Sequence, residues 1–245
     1  MKICVFDIWA DYAHFRKYYT TTSPLSFSFP PPSTIAGILG AIIGLDKNTN
    51  EYLKVFNLDE SKISLRILNP IKKVRVGINL LETKGSNMKH PMSDKMQPHT
   101  QIRTELLRDP KYRIYISNSN ETIFTNLINN LKNHETVYTV SLGLSELLAD
   151  FQYIEVYEYE EISYDNSHSL TEICSPIVED NIVNNEFEIE DDKQYFKETK
   201  MPINMNCKRI VSKYTDVMFE LTGKTIKTKL NKYYKLENGE NITPF

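Results

Sequence analysis

Cysteine is scarce: the 245 residues hold three, Cys4, Cys174 and Cys207, far apart and never in a CxxC pair. That pattern excludes a disulfide framework and a thiolate zinc site, and points to a reducing compartment such as the cytosol. Glycine is also scarce, at eight residues without an internal period, which excludes collagenous or repeat architecture. Long apolar runs are missing, since the longest uncharged one, Ile35 to Leu45, is about half of what a bilayer crossing needs. Asp7 and Asp11 interrupt the apolar start of the chain, so it does not read as a signal peptide. The expectation is a cytoplasmic, soluble protein with no membrane partner. With 40% apolar and 25% charged residues, disorder throughout is excluded as well.

Catalytic signatures are lacking too. There is no GxGxxG and no HExxH, and the five histidines show no i, i+4 pairing. Gly223-Lys224-Thr225 resembles the end of a P-loop, but Met218 stands where a glycine is required. Gly143-Leu144-Ser145-Glu146 is not a nucleophile elbow, because no second glycine follows. His90 and His99, with Asp94 between them, would need further ligands to hold a metal, so no cofactor is expected. A metal-independent ribonuclease needs only a base and a cation. His14 beside Arg16 and Lys17, or His99 near Arg103, could supply them, and this is the alternative to a non-catalytic reading.

What the chain does have is segregated charge behind a net charge of −3. Residues 61–113 carry twelve Lys/Arg against four acids, residues 150–192 carry fourteen acids and no Lys or Arg, and residues 193–235 carry eleven Lys/Arg against three acids. Such blocks can steer a polyanion to one face while another stays acidic.

Ile3–Trp9 is a near-continuous apolar run and reads as a buried central strand, in which Asp7 must find a partner. After Pro30-Pro31-Pro32, Ser33 or Thr34 is expected to cap a helix with Ile35, Ile38, Leu39, Ile42 and Ile43 on one stripe. Its other side, Ala36, Gly37, Gly40, Ala41 and Gly44, is small and reads as a packing face, although such a helix start can also hold a phosphate. A short helix near 50–56 follows. Period-2 alternation marks strands at Lys62–Leu68, at 73–80 with Val74, Val76, Ile78 and Leu80 inward, and at Lys111–Ile116. Sharing a sheet, these would present Lys62, Arg66, Lys73, Arg75 and Arg113 on an open face with Gly77 bare, a surface suited to tracking phosphates. Glu82–Thr104 has no apolar periodicity and reads as a functional insertion. Ser119 or Asn120 caps a second helix, and Phe151–Glu160 is another strand.

The order β-α-β-β-(insertion)-β-α-β gives an α+β, ferredoxin-like sandwich over residues 1–160. Residues 161–245 read as an acidic connector followed by a small, mainly β C-terminal lobe with a second basic surface.

Several motifs carry a family resemblance. Asp7-Ile8-Trp9, Ala13-His14-Phe15-Arg16-Lys17, Phe29-Pro30-Pro31-Pro32-Ser33-Thr34-Ile35-Ala36-Gly37, Lys72–Asn79, Gln101–Ile116 and Leu142–Glu146 resemble the CRISPR-associated RAMP proteins. Within these the pattern is similar to the fifth family, the subunit of the type I Cascade complex that caps the 5′ handle of the guide RNA, and is nearest its type I-B branch. The resemblance implies a ferredoxin-like body with a β-hairpin thumb at about 82–104 that packs on the neighbouring backbone subunit. It implies crRNA, the backbone and large subunits and the crRNA-processing endonuclease as partners, with target DNA met only indirectly. Carried over residue by residue, Arg16, Lys17, Lys73, Arg75 and Asn79 are expected RNA contacts, joined by Arg103, Arg113 and Gly143. A type I-C branch also cuts precursor RNA with a Tyr and a Lys-His pair at the head of the helix after the fourth strand. Here that helix begins Ser119-Asn120-Glu121-Thr122, with neither Lys nor His, so a non-catalytic subunit is expected.

Overall fold

The computed structural model describes residues 1–81, 99–164 and 170–245. Strand β1 (Lys2–Trp9) is followed by the two-residue strands β2 (Tyr12–Ala13), β3 (Phe15–Arg16) and β4 (Ser26–Phe27). Helix α1 (Pro32–Ile43) starts earlier than expected. Pro31 occupies the N-cap position and no side chain caps the helix, because the proline ring already sets the entry angle. The small face of α1 receives α2 (Glu51–Val55): a Cβ on Gly40 would lie 2.6 Å from the Tyr52 Cβ, so the packing reading of this face is right.

Next come β5 (Ser61–Ile67), β6 (Lys72–Leu81), β7 (His99–Arg108), β8 (Lys111–Asn118) and α3 (Glu121–Asn133). Asn120 caps α3, its Oδ1 accepting from the Thr122 and Ile123 amides at 3.0 and 3.2 Å, as the sequence predicts. The remainder is β: β9 (Asp150–Ser163), β10 (Thr171–Ile173), β11 (Ile177–Val178), β12 (Ile182–Phe187), β13 (Tyr195–Met205), β14 (Val211–Glu220), β15 (Ile226–Leu230), β16 (Lys232–Leu236) and β17 (Asn241–Ile242).

The main sheet has the order β17-β16-β9-β1-β8-β5, with every neighbour antiparallel. On one face Cys4, Phe6, Ile8, Ile63, Leu65 and Ile114 pack under α1 and α3. On the other, Ile3, Val5 and Tyr115 pack with Tyr159, Tyr234, Leu236 and Ile242. β1 is therefore buried on both faces, which is why its apolar run is unbroken except at Asp7. No helix among the described residues is long and apolar enough to cross a membrane.

Several expectations are corrected. β6 does not join the main sheet but forms a separate ribbon in the order β2-β7-β6, so Lys73 and Arg75 share no face with Arg66 and Arg113. Val76 and Leu80 on that ribbon are 40% and 49% exposed: alternation marks a strand, but not which side is covered. The main-sheet face expected to be open is closed by the C-terminus. Ser64 Oγ donates to the Thr243 carbonyl at 2.7 Å, the Tyr115 hydroxyl donates to Glu240 at 3.0 Å, and both Ser64 and Tyr115 are buried.

Residues 99–104 of the expected insertion are strand, paired to β6 from Leu81↔His99 onwards. The rest of the insertion, with His90, Asp94 and its methionines, lies outside the described residues. The expected boundary at residue 160 falls inside β9, and the acidic connector contains β10, β11 and β12.

The second basic surface is largely neutralised, since the acidic block folds back onto the basic one. Lys197 meets Glu179, Lys213 meets Asp180, Lys224 meets Asp192, Lys227 meets Glu172 and Glu188, Lys229 meets Glu186, and Lys232 meets Glu161.

Candidate nucleic-acid interface

Two of the sequence motifs meet in space. The His14 amide donates to the Leu142 carbonyl at 3.0 Å, tying the segment before Arg16 to the loop at Gly143. Gly143 has φ +104, and a Cβ there would fall 1.9 Å from the His14 carbonyl oxygen, so only glycine allows this approach. Together with the first turns of α1 and the β13–β14 hairpin, these segments enclose a cleft of about 660 Å³. Its lining includes Arg16, Tyr18, Ser33, Gly143, Arg209 and Tyr214.

The expected RNA-binding residues divide into two kinds. The first kind is bound up within the fold. Lys17 donates to Glu198 Oε2 at 2.5 Å, and Lys73 reaches Glu198 Oε1 at 3.4 Å, Glu105 Oε1 at 3.6 Å and the Ser26 carbonyl at 3.1 Å. Glu198 is buried, which by itself would raise its pKa. Hydrogen bonds from Lys17 and Ser28, with the charges of Lys73 and Lys17, outweigh that and hold it below the usual carboxylate value. Burial likewise opposes the charged form of Lys17, but its bond to Glu198 prevails and raises its pKa.

Arg113 is the partner Asp7 requires. Its Nε and Nη2 donate to the two Asp7 oxygens at 2.8 and 3.3 Å, and Glu240 lies 3.6 Å from Nη1. The hydrogen bonds from Arg113 to Asp7 raise the guanidinium pKa further, against the opposing effect of burial.

The second kind faces outward. Among the described residues Arg16 donates only to the Thr20 carbonyl, at 3.0 Å, and it lines the cleft. Arg75 is 70% exposed, with Glu105 at a marginal 4.0 Å. Asn79 and Arg103 are exposed on the β6–β7 ribbon, where Arg103 stands opposite Gly77. The structure thus gathers Arg16 and Gly143 at the cleft and Arg75, Asn79 and Arg103 along the ribbon, and sets Lys17, Lys73 and Arg113 among carboxylates.

His14, the candidate base, is buried, with Nδ1 2.7 Å from the Glu105 carbonyl oxygen. At that distance Nδ1 carries the proton and donates it, so this nitrogen serves as a tether to β7. The side chain of His99 lies outside the described residues. Among the described residues there is no group of three or more His, Cys, Asp or Glu placed to hold a metal ion.

The sequence reading missed the far wall of the cleft. Arg209 sits at the tip of the β13–β14 hairpin, and Tyr214 comes from its returning strand. One signal was available: Asn206 followed by Lys208 and Arg209 breaks the alternating pattern and puts two cations on a turn.

Residues 3–119 match the family described as CRISPR-associated protein (Cas_Cas5). Two solved structures share the fold over nearly the whole chain. One is the crystal structure of a CRISPR protein from Archaeoglobus fulgidus, with TM-score 0.57 and 15% identity over 98% of this chain and 97% of that one. The other belongs to a CRISPR RNA-guided surveillance complex, with TM-score 0.51 and 9% identity over 93% of this chain and 92% of that one. Comparison with the curated proteins gives no match.

Proposed function

We propose that this chain, whose residues 3–119 match the Cas5 family, is a non-catalytic, crRNA-binding subunit of a type I CRISPR effector complex, nearest the I-B branch, that holds the 5′ handle of the guide. The observation that carries this is the meeting of Arg16 and Gly143, both from motifs shared with that family, at one cleft open to solvent. A subunit fold shared with a CRISPR RNA-guided surveillance complex supports a place in such an assembly. The order β9-β1-β8-β5 with two helices on one face supports a ferredoxin-like body, and the β6–β7 ribbon suits the thumb that meets the backbone subunit. Contact with the large subunit and with the processing endonuclease belongs to the same reading.

RNA affinity should come mainly from Arg–phosphate contacts and fall linearly on a log–log plot against salt. The test incubates the full-length protein with labelled cognate repeat RNA in EDTA and runs native and denaturing gels across a salt series. A salt-sensitive shift with intact RNA is expected. Cleavage at one position would replace this reading with that of a metal-independent processing endoribonuclease, and the absence of both shift and cleavage would remove the RNA role.

A further inference from the structure

Arg16, Tyr18, Arg209 and Tyr214 line the cleft together, brought from distant parts of the chain. The Tyr18 ring lies 5.2 Å from Tyr19, edge-on, and 5.1 Å from Tyr214, tilted by 42°. Tyr18 and Tyr214 remain 51% and 45% exposed, although both line the cleft. A seam that only joined the two parts of the chain would gain by burying these rings, and this one leaves their faces in water.

Arg209 is the second observation. It is held at φ +60, a conformation that Gly or Asn takes more readily. The hairpin tip enforces it: Asn206 Oδ1 accepts from the Lys208 and Ile210 amides at 3.0 Å, and Asn50 Nδ2 clamps the Cys207 carbonyl at 2.9 Å. While most lysines of residues 193–235 meet carboxylates, Lys208 and Arg209 join no ion pair among the described residues. Lys200 and Lys235 also join none, but of these cations Arg209 alone lines the cleft, together with Arg16. Exposed aromatic faces flanked by unpaired arginines match the needs of single-stranded nucleic acid, whose bases stack while its phosphates attract cations.

We propose that this rim is a nucleotide subsite: a base of single-stranded RNA stacks on Tyr214 and Tyr18, and Arg209 and Arg16 take the flanking phosphates from opposite walls. The proposal rests on the RNA-binding reading above and extends it to residues outside the matched domain.

The test measures binding of the full-length protein to the labelled cognate repeat RNA, and to a set of the same RNA made abasic at one position at a time. Tyr214→Ala should weaken binding to the intact RNA by about 5- to 140-fold, the range that about 1–3 kcal/mol per stacked base converts to at 1.4 kcal/mol per tenfold. Tyr214→Phe should bind like the wild type. On the RNA abasic at the stacked position, wild type and Tyr214→Ala should bind alike. Arg209→Gly should lower the salt slope by about 1 with no fall in Tm, since glycine accepts the backbone conformation. If the wild type binds but Tyr214→Ala binds equally well, or loses the same factor on every abasic RNA, the subsite is refuted while the RNA reading stands. An unchanged salt slope in Arg209→Gly refutes the phosphate contact. If the wild type binds no RNA, both fail.

Discussion

A carboxylate in the middle of an apolar strand needs a partner that satisfies both of its oxygens, and at Asp7 one guanidinium supplies both bonds. Removing that partner leaves a buried charge. Arg113→Ala should therefore cost about 2–3 kcal/mol of stability, less than the 3–5 typical of a fully buried pair because the Arg113 side chain is 23% exposed. Arg16→Ala has no such debt and should stay within about 0.5 kcal/mol of wild type while weakening RNA binding. Urea denaturation beside the gel-shift assay separates the two roles, and the reverse pattern would show that the arginines have been misassigned.

Glu198 gives a pH signature at the same scale. Its folded pKa lies below the ordinary carboxylate value, so its contribution is complete above that value and is lost as the pH falls through the folded one. Lys17 has a raised pKa, so its contribution is complete below the ordinary lysine value of 10.5 and is lost only as the pH rises through the folded one. The network is whole at neutral pH and fails first in acid. Tm followed downward from neutral pH should drop less steeply in Glu198→Gln than in wild type, from a lower starting value; parallel curves would rule out Glu198 as a source of the acid limb.

Among the elements, helices were the more legible. The Asn120 cap and the Leu127 and Leu131 positions of α3 follow from spacing alone, because an i, i+4 stripe has only one way to be buried. Strands were legible as strands but not as members of a sheet. Val74–Leu80 alternates as well as Ile63–Ile67 does, yet one lies on a two-sided ribbon and the other in the core. The loop at Gly143 is the element that local chemistry constrains most tightly. Gly143→Ala should lose about 3 kcal/mol, combining backbone strain with a clash against the His14 carbonyl that no side-chain rotation relieves. A thermal melt indistinguishable from wild type would mean that the loop can be rebuilt without the His14–Leu142 bond.

The whole molecule depends on its last residues. β16 and β17 extend the main sheet beyond β9, and Glu240 receives Arg66 at 2.6 Å and Arg113 at 3.6 Å from across the sheet. A fragment of residues 1–160 would lose these partners and expose Ile3, Val5, Tyr115 and Tyr159 together. It should therefore lack a cooperative thermal transition and bind a hydrophobic dye, whereas a sharp transition would establish an independent N-terminal domain. The ion pairs between the acidic and basic blocks are mostly exposed, and added salt should weaken RNA binding well before it weakens the fold.

Local order and kinship were readable from the chain itself. The buried first strand, the helices and the Asn120 cap rest on local pattern, and the resemblance to CRISPR-associated proteins rests on short motifs; both are properties of neighbouring residues. Which charges remain available was not readable. The basic blocks at 61–113 and 193–235 look alike along the sequence, but Coulomb attraction depends on distance in space, and folding brings Glu105, Glu198 and Glu240 against Arg66, Lys73 and Arg113 of the first block and the acidic segment against most lysines of the second. Only the tertiary structure decided that Arg16 and Arg209 line one cleft, because the walls that carry them are assembled from distant parts of the chain.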